Sequence, residues 1–496
     1  MFPASPEEFI KLTAKGNLIP VYEEYSAALD TPLSAFLKLK KGAYAFLLES
    51  VEGGVRLGRY SFIGVEPSKL FQAKDGKVTV TDQGKTFQYE STDPLKELQQ
   101  IFQRIQPAKV PGLPVFSGGA VGYLGYDMIR YWEELPKPMG KETGFPDCFF
   151  MFADTLIIFD HVKQTMKVVV NVPVGDDAVV DYAKACAKIK DISAVLKKPL
   201  MEMPEVVQSL SGNDADHSYN CTPGEFQEMV NKAKEYIKAG DIFQVVLSQK
   251  INLKLSTDPL SIYRSLRSLN PSPYMFYLAF DDIYLVGSSP EVMIKVEDGV
   301  AELRPIAGTR HRGNSAEEDK RLAAELLADE KERAEHLMLV DLGRNDLGRI
   351  SEYGSVKVDE YMQIENYSHV MHIVSRVKGK AKKGYNSFDV LRASFPAGTV
   401  SGAPKIRAME IIDELEPHGR GPYAGAVGYI SYTGNINTCI AIRTLIAKGE
   451  NAFIQAGAGI VADSMPDREY HEVSCKAQAL LKAVEMAKEG GFACCL

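Results

Sequence analysis

Near its C-terminal end the chain reads Gln455-Ala-Gly-Ala-Gly-Ile-Val-Ala-Asp-Ser-Met-Pro-Asp-Arg-Glu-Tyr-His-Glu-Val-Ser-Cys-Lys476. Glu469, Glu472 and Lys476 follow one another at spacings of three and four residues, behind two closely spaced glycines. Side chains at these spacings share one face of an α-helix. The segment therefore predicts a helix that presents two carboxylates and an ammonium group after a glycine-rich turn.

A second pair of glutamates has the same spacing. Glu332 and Glu335 lie in Lys331-Glu-Arg-Ala-Glu-His-Leu-Met-Leu-Val-Asp-Leu-Gly-Arg-Asn345. If the two helices are neighbours, four carboxylates converge, and oxygen ligands of this kind suit Mg²⁺. A Glu-x-x-Glu pair alone is common on a solvated helix face. The choice between these interpretations depends on the rest of the sequence.

Composition limits the class of protein. The chain has 496 residues, 45% of them hydrophobic, which is enough for two or three ordinary domains, or for one large domain, with a sizeable core. A net charge of -8 provides no broad cationic surface, so nucleic acid and membrane are not expected partners. The sequence shows no basic and apolar leader and no run of about eighteen apolar residues, which predicts a cytoplasmic protein.

The seven cysteines indicate neither a disulfide framework nor a zinc site, because their number is odd and no Cys-x-x-Cys occurs. Cys494 and Cys495 are adjacent near the end of the chain. They are either an oxidation-sensitive pair or part of an unimportant tail, and their role stays open.

Three regions follow from the sequence pattern. Residues 1–177 read as short strands divided by turns, 178–221 as a helical segment with a polar linker at 209–220, and 222–496 as mixed helices and strands. Thr222-Pro223 opens a helix that Gly240 closes, and a strand follows at 242–251 with Gln244 among apolar residues. This mixture predicts an α+β fold with large antiparallel sheets and helices around them.

Five motifs, in this order, resemble the chorismate-utilising enzymes over nearly the whole chain. They are Arg304-Pro-Ile-Ala-Gly-Thr-Arg310, Asp341-Leu-Gly-Arg-Asn-Asp346, His369-Val-Met-His-Ile-Val-Ser375, Phe395-Pro-Ala-Gly-Thr-Val-Ser-Gly-Ala-Pro-Lys405 and the segment that ends at Lys476. The resemblance implies a sandwich-like core of antiparallel sheets surrounded by helices. It also implies that 222–496 is the chorismate-binding catalytic region. Within the family the chain is most similar to the members that aminate chorismate to anthranilate.

The resemblance also implies roles for individual residues. Mg²⁺ would be bound directly by Glu335 and Glu472, and through water by Glu332 and Glu469. Glu291 matches the general acid, His372 the residue that assists loss of pyruvate, and Thr399 and Lys476 line the catalytic site. The substrate-binding residues would be Gly308, Thr309, Tyr423, Arg443, Gly457, Ala458, Gly459 and Lys476.

These residue types suit the chemistry. Chorismate carries two carboxylates, so its site needs cations or backbone N–H groups, together with a proton donor for the departing hydroxyl. Arg443 is one charge in an apolar run, Cys439-Ile-Ala-Ile-Arg-Thr-Leu445, and a bound carboxylate would provide its anionic partner. A lone histidine such as His372 is more often structural, and its match to the family motif favours the catalytic role.

Two positions separate the sister reactions of the family. Where isochorismate and salicylate synthases carry a lysine that activates water, this chain has Gln244, which cannot act as that base. Where many aminodeoxychorismate synthases carry a nucleophilic lysine, it has Ala307. Ammonia is therefore the expected nucleophile. An aminodeoxychorismate synthase and a non-catalytic chorismate- or tryptophan-binding regulatory subunit stay as alternatives.

Two further segments, Leu47-Leu-Glu-Ser50 and Asn270-Pro-Ser-Pro-Tyr-Met-Phe276, resemble the tryptophan-binding elements of feedback-inhibited family members. The effector residues would be Leu48, Glu49, Ser50, Pro273, Tyr274 and Met275. An apolar wall suits an indole ring, and Glu49 with Ser50 would meet the ammonium group. Ordinary core packing is the alternative interpretation.

The predicted partner is a glutamine amidotransferase subunit. No cysteine of this chain lies in a Gly-x-Cys-x-Gly nucleophile motif. Ammonia is therefore expected from a separate subunit, or from solution at high pH, and the expected assembly is a hetero-oligomer, namely a heterotetramer.

Overall fold

The computed structural model describes residues 1–51, 58–136, 143–200, 217–367 and 370–489. Most of the predicted linker at 209–220, together with Cys494 and Cys495, lies outside the described residues. In the described part, the α-helices are α1 (Pro6–Thr13), α2 (Pro32–Leu39), α3 (Pro94–Gln103), α4 (Ala178–Leu196), α5 (Pro223–Ala239), α6 (Pro259–Leu269), α7 (Ala316–Ala328), α8 (Glu330–Gly348), α9 (Ser387–Ser394), α10 (Lys405–Leu415) and α11 (Pro466–Lys488), with 3-10 helices at Tyr126–Tyr131 and Gly398–Val400.

The strands are mostly short and are separated by turns. They are β1 (Leu18–Ser26), β2 (Tyr44–Glu49), β3 (Tyr60–Val65), β4 (Lys69–Lys74), β5 (Lys77–Asp82), β6 (Lys85–Glu90), β7 (Gly119–Leu124), β8 (Cys148–Ala153), β9 (Thr155–Asp160), β10 (Thr165–Pro173), β11 (His217–Tyr219), β12 (Gln244–Lys254), β13 (Tyr274–Phe280), β14 (Ile283–Ser289), β15 (Val292–Glu297), β16 (Val300–Leu303), β17 (Ile306–His311), β18 (Lys357–Val358), β19 (Gln363–Asn366), β20 (Val370–Val374), β21 (Val377–Lys380), β22 (Gly402–Ala403), β23 (Ala426–Ser431), β24 (Ile436–Ile440), β25 (Thr444–Lys448) and β26 (Asn451–Ile460).

Two large antiparallel sheets form the body of the protein. The first has the strand order β1-β10-β9-β3-β2-β13-β14-β25-β26-β12-β11, with β22 beside β12. The second has the order β18-β21-β16-β15-β24-β23-β7-β8-β4-β5-β6. The regions 1–177 and 222–496 meet inside both sheets, where β2 pairs with β13 and β7 pairs with β23. The division into domains itself stays a prediction.

The two sheets stack face to face around a shared hydrophobic core. Phe62 of β3 lies edge-on to Tyr429 of β23, with ring centroids 5.9 Å apart, and Phe280 of β13 stacks on Phe149 of β8 at 4.4 Å. Side chains on the two inner faces interdigitate in this way in sheet sandwiches. Because the rings come from both sequence regions, the core joins them.

Helices cover the outer face of the first sheet, where α1, α2, α4, α5, α6 and α11 bury their apolar sides. The helix predicted after Thr222 is confirmed as α5: Thr222 and Glu225 form a capping box, and Gly240 ends the helix at φ +85°. Large antiparallel sheets with surrounding helices also confirm the predicted α+β class. None of the described helices is long and apolar enough to span a membrane.

A small third sheet carries part of the predicted site. Its strand order is β17-β20-β19, which sets His372 opposite Thr309 on one side and Glu365 on the other. The sheet packs on α7 through Leu322, Leu326, Met371 and Ile373. Helix α8 follows at once, and the Asp329 side chain caps it by accepting from the N–H of Glu332 at 3.2 Å. This cap fixes the turn on which the first glutamate pair begins.

The structure corrects the glycine-rich turn predicted before α11. Gly457 and Gly459 lie within β26, opposite Ser248 and Val246 of β12. Their backbone is extended because β12 supplies ladder partners along the whole segment. These partners lie about two hundred residues away in sequence, and a pair of glycines does not reveal them.

The strand that carries Gln244 is also displaced from its predicted bounds. It was expected over 242–251 and runs over Gln244–Lys254. Phe243 lies just outside the strand: its N–H donates to the carbonyl of Ala403 at 2.7 Å, and the residue is 72% exposed. Gln244 therefore begins the strand and is buried there.

Candidate active site

Helices α8 and α11 carry the four predicted metal carboxylates. Glu332 and Glu335 lie on α8, and Glu469 and Glu472 lie on α11. Burial raises the pKa of Glu335, and the charges of Glu332 and Glu472 raise it further. Burial also raises the pKa of Glu469, with a further contribution from Glu472. Like charges from the two helices thus lie near one another.

Two of these carboxylates are bound to cations of the chain. Arg310 donates to Glu332 at 3.1 Å, and the Lys476 ammonium lies 2.6 Å from Glu472. Glu335 accepts a hydrogen bond of 3.3 Å from Gln244 Nε2. Within the described residues, no three acidic, histidine or cysteine side chains are close enough together to hold a metal ion.

The donor set still fits Mg²⁺. Carboxylate oxygens are the ligands that this ion prefers. Burial and the charge of Glu332 raise the pKa of Glu335, and a cation bound there would favour its ionised form. Binding requires Glu332 and Glu472 to share or release Arg310 and Lys476.

A partly buried acid, Glu291, lies beside this group. Thr399 Oγ1 donates to Glu291 Oε2 at 2.9 Å. Burial raises the pKa of Glu291, although the Thr399 hydrogen bond and the charges of Lys476 and Arg443 work in the opposite direction. A carboxyl group with a raised pKa retains its proton at higher pH, as a general acid must.

His372 of β20 is held through one ring nitrogen. Its Nδ1 lies 2.8 Å from the carbonyl oxygen of Gly308 and 3.1 Å from Thr309 Oγ1. Because a carbonyl can only accept, Nδ1 carries the proton, and Nε2 has a lone pair for proton transfer. Burial lowers the pKa of His372, which favours this neutral form.

The guanidinium of Arg443 lies in a corner where β24, β26 and α11 meet. Arg443 has φ +51° and donates to the carbonyl of Lys476 at 2.9 Å, and burial lowers its pKa. Among the described residues it makes no ion pair with a carboxylate. A half-buried guanidinium in this state suits an anionic ligand.

The backbone of β26 is open beside Arg443. In the described chain β25 pairs with β26 only as far as Ile454, so one edge of the strand has no strand partner around Gly457 and Gly459. On this segment the Gly457 carbonyl accepts a hydrogen bond from Lys476 Nζ at 2.9 Å. A Cβ at Gly457 would lie 2.9 Å from the Tyr423 hydroxyl, too close for any larger residue. Ala458 points its methyl group to the opposite, helix-covered face, so only its backbone can face a ligand.

Gln244 and Ala307 are the two positions that separate the sister reactions of the family. Gln244 is buried and its Nε2 contacts Glu335, while its Oε1 has no hydrogen-bond partner in the structure. Such a buried acceptor suits a donor on a ligand or water. Ala307, in β17, provides no amine.

Four residues near the site were missed by the sequence analysis. Tyr367 lies edge-on to His372, with ring centroids 5.5 Å apart, and its hydroxyl donates to Glu365 at 3.0 Å. Arg304 also bonds Glu365, and Arg310 holds Glu332. Arg304 and Arg310 are the two ends of one quoted motif, and Tyr367 lies close to another. Their position in or near these motifs was the sequence signal that could have identified them.

The six predicted effector residues line one cavity between the two large sheets. Its volume is about 340 Å³, and Phe62, Phe116 and Tyr429 add aromatic surface to it. The Ser50 hydroxyl is buried without a hydrogen-bond partner. Tyr274 donates to Asn437 Oδ1 at 3.1 Å and links β13 to β24 across the cavity.

Glu49 does not present its carboxylate to this cavity. It accepts hydrogen bonds from Tyr263 at 2.6 Å and from Arg267 at 3.0 Å, both on α6. Neighbouring side chains of a strand point to opposite faces, so Ser50 faces the cavity and Glu49 faces the helix layer. The expected meeting of Glu49 with a ligand ammonium group is therefore not what the structure shows.

Comparisons with known proteins identify the relatives of this chain. A family model described as chorismate binding enzyme matches residues 43–482. Anthranilate synthase component 1 of Acetivibrio thermocellus is 47% identical over 484 residues, covering 97% of this chain and 98% of that protein. The protein of the same name from Aquifex aeolicus is 48% identical over 98% of each chain. The crystal structure of anthranilate synthase component I from Streptococcus pneumoniae is 38% identical, with a TM-score of 0.76 over 92% of this chain and 99% of that chain.

Proposed function

The chain belongs to the chorismate binding enzymes, and from this membership we propose that it is the synthase component of an anthranilate synthase. It converts chorismate and ammonia into anthranilate, pyruvate and water, the first committed step of tryptophan biosynthesis. The relatives named above favour this reaction over para amination and over a purely regulatory subunit.

One observation carries the proposal: a raised-pKa acid, Glu291, lies beside Arg443, a guanidinium with no carboxylate partner in the described chain. The charges of these two groups act on each other. Arg443, the Tyr423 hydroxyl and the free edge of β26 bind the enolpyruvyl carboxylate. Glu291 then faces the ring and donates its proton to the C4 hydroxyl as it leaves.

The reaction proceeds in two stages. Ammonia adds at C2 and the C4 hydroxyl departs as water, with the proton supplied by Glu291, which Thr399 orients. The ammonium group formed at C2 then releases one proton, which balances the proton that Glu291 gave up. His372 then accepts the C2 proton at Nε2, the C3–O bond breaks and the ring becomes aromatic. The enolpyruvate that leaves takes up a proton at its methylene carbon and becomes pyruvate. Gln244 and Ala307 provide neither a base for water nor an amine nucleophile, which leaves ammonia as the attacking group.

Glu335 and Glu472 would bind Mg²⁺ directly, and Glu332 and Glu469 through water. The bound ion supplies neutralisation and orientation for the ring carboxylate. The raised pKa of Glu335, caused first by burial, supports this assignment.

A glutamine amidotransferase subunit supplies the ammonia in the cell. The component 1 name of the relatives supports such a partner. The assembly is a hetero-oligomer, proposed as a heterotetramer in the cytoplasm. Free ammonia at high pH replaces the partner in solution.

Tryptophan inhibits the enzyme through the cavity between the sheets. The aromatic walls accommodate an indole ring, and the unpartnered Ser50 hydroxyl offers a polar contact. Tryptophan acts by favouring a less active arrangement of the two sheets.

The test incubates the purified chain with chorismate, Mg²⁺ and an ammonium salt at alkaline pH, and follows anthranilate fluorescence before and after tryptophan is added. We expect anthranilate only when all three components are present, and suppression by tryptophan. A para-aminated product would assign the chain to aminodeoxychorismate synthesis. The absence of any product, with chorismate or tryptophan still bound, would indicate a regulatory subunit.

A further inference from the structure

A fully buried ion pair lies behind the proposed substrate residues. Glu416 and Arg420 are only 3% and 2% exposed. Arg420 donates to both carboxylate oxygens of Glu416, at 2.9 and 2.6 Å, and its guanidinium lies 4.7 Å from the ring centroid of Tyr126. Neither side chain belongs to the site described above.

The remaining hydrogen bonds of the ion pair join it to separate segments of the chain. Arg420 donates to the carbonyl of Val400 at 2.6 Å and to that of Val246 at 2.8 Å. Glu416 accepts from the N–H and from the hydroxyl of Ser248, each at 2.8 Å. Gln455 in turn donates to the Ser248 hydroxyl at 2.8 Å.

Each contact lies next to a residue of the proposed site. Val400 follows Thr399, and Gln455 precedes Gly457 by two residues in β26. The N–H of Tyr423 donates to the Arg420 carbonyl at 3.1 Å, and its ring centroid lies 5.7 Å from the guanidinium. The loop of Thr399, the strand of Gly457 and the ring of Tyr423 are therefore all held by one pair.

Stability alone does not account for this arrangement. The desolvation cost of a buried ion pair offsets much of its attraction, and well-packed apolar residues often replace such a pair without loss of stability. An apolar pair, however, offers no donors to Val400 and Val246 and no acceptor to Ser248. What the ion pair alone provides is directional bonding to several segments at once.

We propose that Glu416 and Arg420 are positioning residues, which set Tyr423, Thr399 and the Gly457 backbone in register for chorismate. The proposal rests on the function proposed above. Neither residue touches the substrate. Their effect passes through Tyr423 and Gly457, which bind it, and through Thr399, which orients the acid Glu291.

The experiment compares the full-length wild type with the double variant Glu416→Leu/Arg420→Met in the chorismate and ammonium assay. We expect a cooperative thermal transition in the double variant, with kcat/KM for chorismate lowered about 100-fold, because misplacement of about 1 Å at a reacting centre costs that much. The KM for ammonium should stay within about twofold, since ammonia makes none of the affected carboxylate contacts. A folded double variant with wild-type kcat and KM for chorismate would overturn the proposal.

A matched control removes another ion pair that involves α10. Arg130 and Asp413 are joined at 2.6 Å, and neither belongs to the proposed site. The variant Arg130→Met/Asp413→Leu should therefore keep its kinetic constants within about twofold of wild type. An equal loss in both double variants would reduce the effect to general destabilisation and overturn the proposal.

A conservative variant, Arg420→Lys, and a side-chain truncation, Ser248→Ala, complete the test. Arg420→Lys keeps the charge but not the four directed hydrogen bonds, so we expect less than about a tenth of wild-type kcat/KM; full activity would show that charge alone suffices and would overturn the proposal. Ser248→Ala removes the link to Gln455 and leaves the ion pair in place. Its KM for chorismate should rise several-fold, and an unchanged KM would overturn the proposal even if the double variant fails to fold.

Failure of the proposed function is read separately, from the wild type. If the wild type makes no anthranilate, calorimetric binding of chorismate is compared between the wild type and the variants. Weaker binding in Glu416→Leu/Arg420→Met would then support positioning without the proposed reaction, and equal binding would overturn the inference too.

Discussion

The active site is formed mainly by charged groups, whereas the effector cavity is formed mainly by apolar ones. At the active site, charged groups are brought together without full neutralisation: Glu335 faces other carboxylates, and Arg443 has no carboxylate partner in the described chain. The effector cavity is a gap between two apolar sheet faces, with the Ser50 hydroxyl as its unpartnered polar group. A ligand at the active site would neutralise uncompensated charge, and a ligand in the effector cavity would fill apolar volume. Substitutions should therefore act through charge at one site and through volume at the other.

The largest expected effect is that of Glu335→Gln. The amide is isosteric and uncharged, so it loses most of its affinity for Mg²⁺. We expect kcat/KM for chorismate to fall about 1000-fold or more, as for loss of an essential electrostatic group, and metal titration should give little rescue. Glu330→Gln, at an exposed position of the first turn of the same helix, is the control. Mg²⁺-dependent activity near that of wild type would count against Glu335 as a ligand.

The same substitution should have the opposite effect on stability without metal. The pKa of Glu335 is raised in the folded protein, first by burial and then by Glu332, so its ionised form is less favourable there than in the unfolded chain. At neutral pH, Glu335→Gln removes this cost and should raise the Tm of the metal-free protein. The gain should vanish below the ordinary carboxyl pKa, where the group is protonated in both states. A lower Tm at neutral pH would contradict the electrostatic account.

Arg443→Met should weaken chorismate binding strongly. It removes the guanidinium proposed to meet the enolpyruvyl carboxylate, and we expect kcat/KM to fall about 100-fold, mostly through KM. Arg344→Met, at an exposed arginine of α8, is the matched control. If Arg443→Met changed only the Tm, a structural role would replace the substrate-binding one.

Thr399→Val should shift the pH profile rather than abolish activity. Thr399 lowers the pKa of Glu291 by its hydrogen bond, so its removal should raise that pKa further. If protonated Glu291 is the acid, the alkaline limb of kcat/KM moves to higher pH, while the rate falls about tenfold through lost orientation. Thr86→Val, at an exposed position in β6, should leave the profile in place. An alkaline limb that does not move would separate Glu291 from the proton transfer.

The smallest effect on catalysis is expected from Ser50→Phe. The aromatic ring occupies the effector cavity, so tryptophan inhibition should be lost while kcat stays within about twofold of wild type. Ser26→Phe, at the exposed end of β1, should keep wild-type inhibition. Unchanged inhibition in Ser50→Phe would remove this cavity from the regulation of the enzyme.

Local patterns predicted much of this structure, and the failures have a common cause. The helix predicted between Thr222 and Gly240 is confirmed. Its start and stop signals both lie at its own ends, so no distant contact was needed to predict it. The glycines at 457 and 459 were misread as a turn, since the strand that holds them extended, β12, comes from a distant part of the chain. The direction of Glu49 was available from strand alternation, and only its partners Tyr263 and Arg267 required the structure.

By itself, the sequence determined which functional groups are present: two glutamate pairs at helical spacing, Gln244 and Ala307 at the discriminating positions, and Arg443 in an apolar run. These are covalent facts, and helical periodicity alone places each pair on one face. The tertiary structure decided that Arg310 bonds Glu332, that Tyr263 and Arg267 hold the Glu49 carboxylate, and that Glu416 and Arg420 bind three segments of the site together. Contacts such as those of Glu49 with Tyr263 and of Arg420 with Val246 join residues far apart in sequence. They depend on helix packing and on the order of strands in shared sheets, which no local pattern encodes.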